Sequence, residues 1–241
     1  MDTCRCVGVD RFRYHACMRI VVIGGTGRTG QRIAMRAVEV GHEVVVVGRS
    51  AKPGDPRLPA AARIVTGDVL NPATLETSLD GCDAVVTALS IPRRSRSVFA
   101  PIEGPTDLHS RSTAALLPAM TAASIPRLIK VSAQGVGDSA GRTGWGVRLT
   151  IATSNLKPAF VDHAKADRMI VESDLSYTIV RPPVLEDGPA RDRIEADEQG
   201  VTGTFTRIRT QDVANWIVDA VSDPTTYRRV LTLVPKGPPP T

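Results

Sequence analysis

Arg19-Ile20-Val21-Val22-Ile23-Gly24-Gly25-Thr26-Gly27-Arg28-Thr29-Gly30 is the stretch on which the fold turns. Five residues rich in β-branched side chains make a short strand, and glycines at 24, 27 and 30 follow it directly. Gln31 to Val40 then carries apolar residues at helical spacing (Ile33, Ala34, Ala37, Val38), and Gly41 closes it. Glu43 to Val47 is a second apolar strand. A glycine bend between a strand and a helix lets backbone approach a pyrophosphate, because no Cβ intervenes. The helix start adds unpaired N–H groups and a partial positive charge. Strand, bend, helix and second strand occur together at the right spacing, which makes this a candidate dinucleotide site.

Outward from this unit the alternation continues. Ile64-Val65, Ala84 to Leu89, Leu128 to Ser132, Tyr177 to Val180 and Leu231 to Val234 read as further strands, short and continuously apolar, as strands buried on both faces are. Residues 72–79, 108–123, 160–172 and 211–221 read as helices, the first with Asn71 as N-cap and Pro72 at its opening position. The expected fold class is α/β, a single-domain Rossmann-type doubly wound parallel sheet with helices on both faces, over residues 18–235. Loop-like stretches at 91–107, 134–158 and 185–206 all follow strands at their C-terminal ends, where such folds hold their ligands. They are the expected substrate loops. Residues 1–17 read as a disordered extension ahead of Met18, and 236–241 as a tail.

Composition narrows the function. Of 241 residues, 42% are hydrophobic and 23% charged, which supports a core and excludes wholesale disorder. The net charge of +5 comes with only 4% aromatics, too few for a nucleic-acid stacking platform. No apolar run approaches the roughly 20 residues of a membrane-spanning helix. Three of four cysteines precede Met18, with neither disulfide nor zinc spacing, and Arg5, Arg11 and Arg13 interrupt any signal peptide. The expectation is a cytoplasmic enzyme, monomer or homodimer, with a small-molecule substrate and no metal, nucleic-acid or membrane partner.

The end of the second strand selects the cofactor. An NAD site places Asp or Glu there for the ribose 2′-hydroxyl. Here stand Gly48-Arg49-Ser50. A carboxylate repels a 2′-phosphate, whereas Arg grips it with a forked pair of bonds. NADP(H) is therefore expected over NAD(H), with Arg28 as a candidate second cation for that phosphate.

The ordered set Gly24 to Gly30, Gly48-Arg49-Ser50, Gly67-Asp68-Val69, Val131-Ser132-Ala133, Arg181-Pro182-Pro183 and Asp212-Val213-Ala214 resembles the atypical short-chain dehydrogenase/reductases of the NmrA-like branch, and within it the biliverdin IXβ reductase/flavin reductase type. The resemblance spans about residues 18–235 and is more specific for fold and cofactor than for substrate. It implies that Thr26, Gly27, Arg28, Thr29 and Gly30 hold the pyrophosphate and that Arg49 and Ser50 meet the 2′-phosphate. Asp68 and Val69 would flank the adenine, and Ala88, Leu89 and Ser90 would run along the middle of the cofactor. Pro183 and Val184 would meet the nicotinamide through their backbone.

In such an enzyme the nicotinamide carries the hydride, and the protein positions the acceptor and stabilises its charge. The resemblance makes Ser132 a candidate hydrogen-bond donor to the acceptor and Lys165 the lysine of a Tyr-x-x-x-Lys pair. The tyrosine position of that pair is Val161, so the usual acid is missing. Solvent protonation, a substitute acid (Asp162 or His163) and a cofactor-binding sensor without turnover all remain open. So does a non-redox isomerase or lyase. Arg93, Arg94 and Arg96 are candidates for an anion, and Trp145 and Phe160 for an apolar wall. The acidic run 186–198 reads as a mobile lid or a solvated loop.

Overall fold

The computed structural model describes residues 17–236; Cys4, Cys6 and nearly all of the expected extension and tail lie outside that range. Strand β1 (Arg19–Ile23) is followed by helix α1 (Arg28–Glu39), β2 (Glu43–Gly48), β3 (Arg63–Thr66), α2 (Pro72–Leu79) and β4 (Ala84–Thr87). Next come α3 (Leu108–Ala122), β5 (Arg127–Val131), a 3₁₀ turn at 137–142, α4 (Trp145–Thr153) and α5 (Lys157–Val171). The chain continues through β6 (Ser176–Arg181), β7 (Val184–Glu186), β8 (Ile194–Asp197), β9 (Arg207–Arg209), α6 (Thr210–Val221) and β10 (Arg229–Pro235).

The main sheet runs β3-β2-β1-β4-β5-β6-β10-β8, parallel throughout except for β8, which pairs antiparallel with β10. β7 and β9 form a separate parallel pair. Alternation along β1 divides the core in two. Ile20 and Val22 join Ile33, Ala37, Val213 and Ile217 beneath α1 and α6. Val21 and Ile23 join Leu75, Leu116, Met120 and Ile170 on the side of α2, α3 and α5. Side chains of successive strand residues point to opposite faces, so a strand covered on both sides is apolar without interruption.

Two stretches depart from the sequence reading. The expected loop 134–158 contains the 3₁₀ turn, all of α4 and the start of α5. α4 has no buried residue, so no apolar stripe announces it. The acidic run 186–198 is fastened down. It carries β8, whose half-buried Ile194 and Ala196 reach the core while Glu195 and Asp197 are exposed. The alternation is only four residues long, and at a sheet edge an acidic outward face is well tolerated.

Candidate functional site

The register of β1 with β2 and β4 brings Ile23, Val47 and Thr87 to one level, so the glycine bend emerges at the C-terminal edge of the sheet. Gly24 has φ +79°, and a Cβ there would lie 2.7 Å from the Ala88 carbonyl oxygen. A Cβ at Gly30 would run into the Gly24 carbonyl oxygen. Both positions demand glycine, one for backbone sign and close approach, the other for packing of helix on bend. Gly27 is the N-cap of α1; no side chain caps the helix and no acidic residue sits in its first turn. A helix start left uncapped behind a glycine bend suits a phosphate. The residues present therefore fit a dinucleotide pyrophosphate.

The expected cofactor track is laid out along this edge. Ser50 Oγ lies 3.4 Å from Thr26 Oγ1, and Arg49 is exposed with no ion-pair partner among the described residues. Ser90 is exposed, Leu89, Ala88 and Pro183 are half-buried, and Val184 is 40% exposed. Two side chains are turned to other work. Asp68 accepts the Leu70 N–H in a local turn (2.9 Å), and Val69 is buried in the core beside Leu75. The second carboxylate oxygen of half-buried Asp68 and the backbone of Val69 are left to flank an adenine.

Arg28 has an acidic neighbour. Its guanidinium is 3.9 Å from Asp187, which Arg32 and Arg96 contact at 3.0 Å each. Three arginines from two sides of the glycine bend thus converge on one carboxylate of the segment after β7. Arg28 is the most distant of the three from Asp187 and lies beside the glycine bend. The guanidiniums of Arg96, Arg28 and Arg32 outweigh the effect of burial and hold the Asp187 carboxyl below its usual range.

Beneath the same edge, where β5, α3 and α5 meet, lies a buried polar cluster. Lys130, on β5, is 2.7 Å from Asp167 Oδ1 and 2.9 Å from His163 Nδ1. The other carboxylate oxygen of Asp167 accepts from Ser132 Oγ (3.0 Å) and from Arg181 (3.2 Å). Arg181 also pairs with Asp138 at 2.6 Å, and Arg142 pairs with Asp138 at 2.9 Å. Burial and the Arg181 charge push the Lys130 ammonium below its ordinary pKa, while Asp167 works against that shift. The His163 ring stacks on His109 with centroids 3.6 Å apart. Burial, then the Lys130 charge, lowers His109 to about 3 and keeps His163 well below its ordinary value. Both imidazoles are neutral at pH 7. A protonated lysine only donates, so His163 Nδ1 accepts and its hydrogen sits on Nε2.

This cluster redistributes the expected chemistry. Ser132 is buried and spends its hydroxyl proton on Asp167, so as placed it does not donate to an acceptor. Lys165 is exposed, roughly 160° around α5 from both His163 and Asp167. It shares the outer face with Val161, which is 51% exposed. Asp162 is no free acid, since it accepts the backbone N–H of His109 (2.6 Å) and Ser110 (3.2 Å) and so caps α3. Trp145, 76% exposed on α4, makes no wall, whereas Phe160 lines a cavity. That cavity, about 120 Å³, opens beside Ser90 between α3 and α5 and is also lined by Ile91, Leu156, His109 and His163. The sequence did offer one signal for Lys130: a lysine inside a strand buried on both faces must bring a partner with it.

A family profile described as NAD(P)H-binding matches residues 24–224, and the chain belongs to that family. Among curated relatives, the photosystem II assembly factor Ycf39 of Synechocystis sp. is 25% identical over 225 residues, 90% of this chain. The chain spans 62% of the length of that relative. Among solved structures, ChuY, an anaerobillin reductase from Escherichia coli O157:H7, superposes with a TM-score of 0.74 at 20% identity, covering 92% of this chain and all (100%) of that one. A short-chain dehydrogenase/reductase from Veillonella parvula in complex with NADP gives 0.72 at 19% identity, with coverages of 91% and 95%. At these identities the structures establish the Rossmann-type fold. Family and fold together define an NAD(P)H-binding protein of Rossmann type. No helix among the described residues is long and apolar enough to cross a membrane.

Proposed function

We propose that this chain is an NADPH-dependent reductase of a small organic acceptor, carbonyl-bearing or flavin-like. When bound, the reduced nicotinamide would supply a hydride. The backbone of residues 26–30 would hold the pyrophosphate, and Arg49 and Ser50 the 2′-phosphate. Ala88 to Ser90 and the backbone of Pro183 and Val184 would position the nicotinamide against the acceptor. The observation that carries this reading is the alignment along one sheet edge of an uncapped glycine-lined helix start, the Ser90 cavity and a charged cluster buried beneath it. Lys165, on the outer face of α5, has no part in this reading, and Lys165→Met is expected to leave nucleotide binding unchanged.

Val161 in the tyrosine position supports a second reading, a nucleotide-binding sensor that does not turn over. Multiple-turnover oxidation of NADPH against a panel of aldehydes, ketones, quinones and flavins separates the two. The reductase reading expects consumption with at least one acceptor. Tight binding without consumption across the panel contradicts it.

A further inference from the structure

We propose that the cavity between α3 and α5 receives the carbonyl oxygen of the acceptor at the imidazole pair His109 and His163, and that Lys130 supplies the proton through His163. This deepens the reductase reading and rests on it. The cavity has two independent marks of a ligand site. His109 is 3% exposed and its Nε2 is buried with no hydrogen-bond partner. A buried polar atom left so costs about 1–3 kcal/mol unless something meets it. His163, which lines the same cavity, has its Nδ1 fixed by Lys130, and its Nε2 makes no hydrogen bond.

The neighbouring groups leave His163 as the donor. Asp162 is committed to the start of α3, and Ser132 and Arg181 to Asp167. Lys165 lies on the far side of its helix. Lys130 is held on one side by Asp167 at 2.7 Å and faces His163 on the other at 2.9 Å. As a hydride arrives at the acceptor carbon, the carbonyl π pair moves to oxygen. That oxygen takes the proton from His163 Nε2, and His163 Nδ1 takes one from Lys130 Nζ. When product leaves, His163 Nε2 takes a proton from solvent and His163 Nδ1 returns one to Lys130, which restores both the ammonium beside Asp167 and the Nε2–H tautomer. Each imidazole stays neutral before and after the step, as its burial requires.

The space also sets the substrate class. An enclosed cavity of roughly 150 Å³ holds one benzene ring. At about 120 Å³, open beside Ser90 and with Ile91, Leu156 and Phe160 on its apolar side, this one seats a single ring or short branched chain bearing the carbonyl, and the remainder of a larger acceptor extends outward.

The test uses benzaldehyde as probe with the full chain. In the ¹⁵N-histidine NMR spectrum His163 is expected as the Nε2–H form, and benzaldehyde is expected to shift both imidazole signals. Signals that stay still at saturating benzaldehyde overturn the oxygen site. Because these are wild-type spectra, they decide even if a variant misfolds. His163→Phe keeps the stacked ring and removes the hydrogen. It should lower kcat for NADPH-dependent reduction of benzaldehyde at least about 100-fold and abolish the solvent deuterium effect. NADPH affinity should stay within about twofold, since His163 touches the acceptor and not the nucleotide. His163→Gln, which retains an N–H, should recover part of kcat. A His163→Phe variant that turns over like wild type overturns the proton path alone. A wild type that reduces flavins but no carbonyl compound overturns the proton path alone; one that consumes NADPH with no acceptor of the panel overturns the reductase reading and the proton path together.

Discussion

In the proposed nucleotide site, Arg49 and Asp187 would set the charge balance at two separate points. Arg49 stands where an NAD enzyme has a carboxylate. Arg49→Asp should weaken NADPH relative to NADH roughly 10- to 100-fold, the scale of one or two charge-assisted hydrogen bonds. Nicotinamide fluorescence titrations with both nucleotides check it. Asp187 instead competes, as a carboxylate, for three arginines around the glycine bend. Asp187→Asn frees them for the pyrophosphate that NADH and NADPH share. Both nucleotides should bind roughly two- to fivefold tighter, in keeping with exposed ion pairs, and their ratio should not move. The same titrations check this, and a changed ratio would place Asp187 elsewhere. Arg49 was legible from the sequence because a short motif fixes its position. Asp187 was not, because its partners Arg28, Arg32 and Arg96 come from distant stretches.

At the scale of elements, α5 shows where sequence reasoning stops. Its periodicity gave the helix, and its residues gave the list Asp162, His163 and Lys165. Which side faced the site depended on its packing against α3 and β5, a tertiary fact. The result buries Asp162, His163 and Asp167 and exposes Lys165. That packing is also what brings Lys130 and His109 to His163. The consequence is a pH dependence of stability. His109 titrates near 3 in the fold, and His163 is also depressed, against about 6.5 when unfolded. The unfolded chain therefore binds more protons between these values, so stability is whole above pH 6.5 and falls as pH drops towards 3. Each histidine contributes at most about 1.4 kcal/mol per pH unit over that window. Urea unfolding of wild type and His109→Phe at pH 7 and pH 5 checks this: the variant should lose less stability between the two pH values. An equal loss would mean that His109 is not buried neutral.

Across the whole molecule, the sheet order and the two-sided core follow from apolar strands alternating with amphipathic helices, which is why the fold could be read from the chain. The antiparallel edge strand β8 could not, since four residues in an acidic run carry too little pattern. The proposed acceptor cavity suffers most from this limit, because residues from the loop after β4, the start of α3 and the start of α5 meet there only through packing. The nucleotide end is the reverse case, with bend, strand end and helix start contiguous in sequence. Fluorescence titration of the wild-type chain with NADPH and with NADH tests that end directly. Saturable binding of NADPH, tighter than that of NADH, is the predicted result. Failure of both nucleotides to bind, or NADH binding as tightly as NADPH, would contradict it.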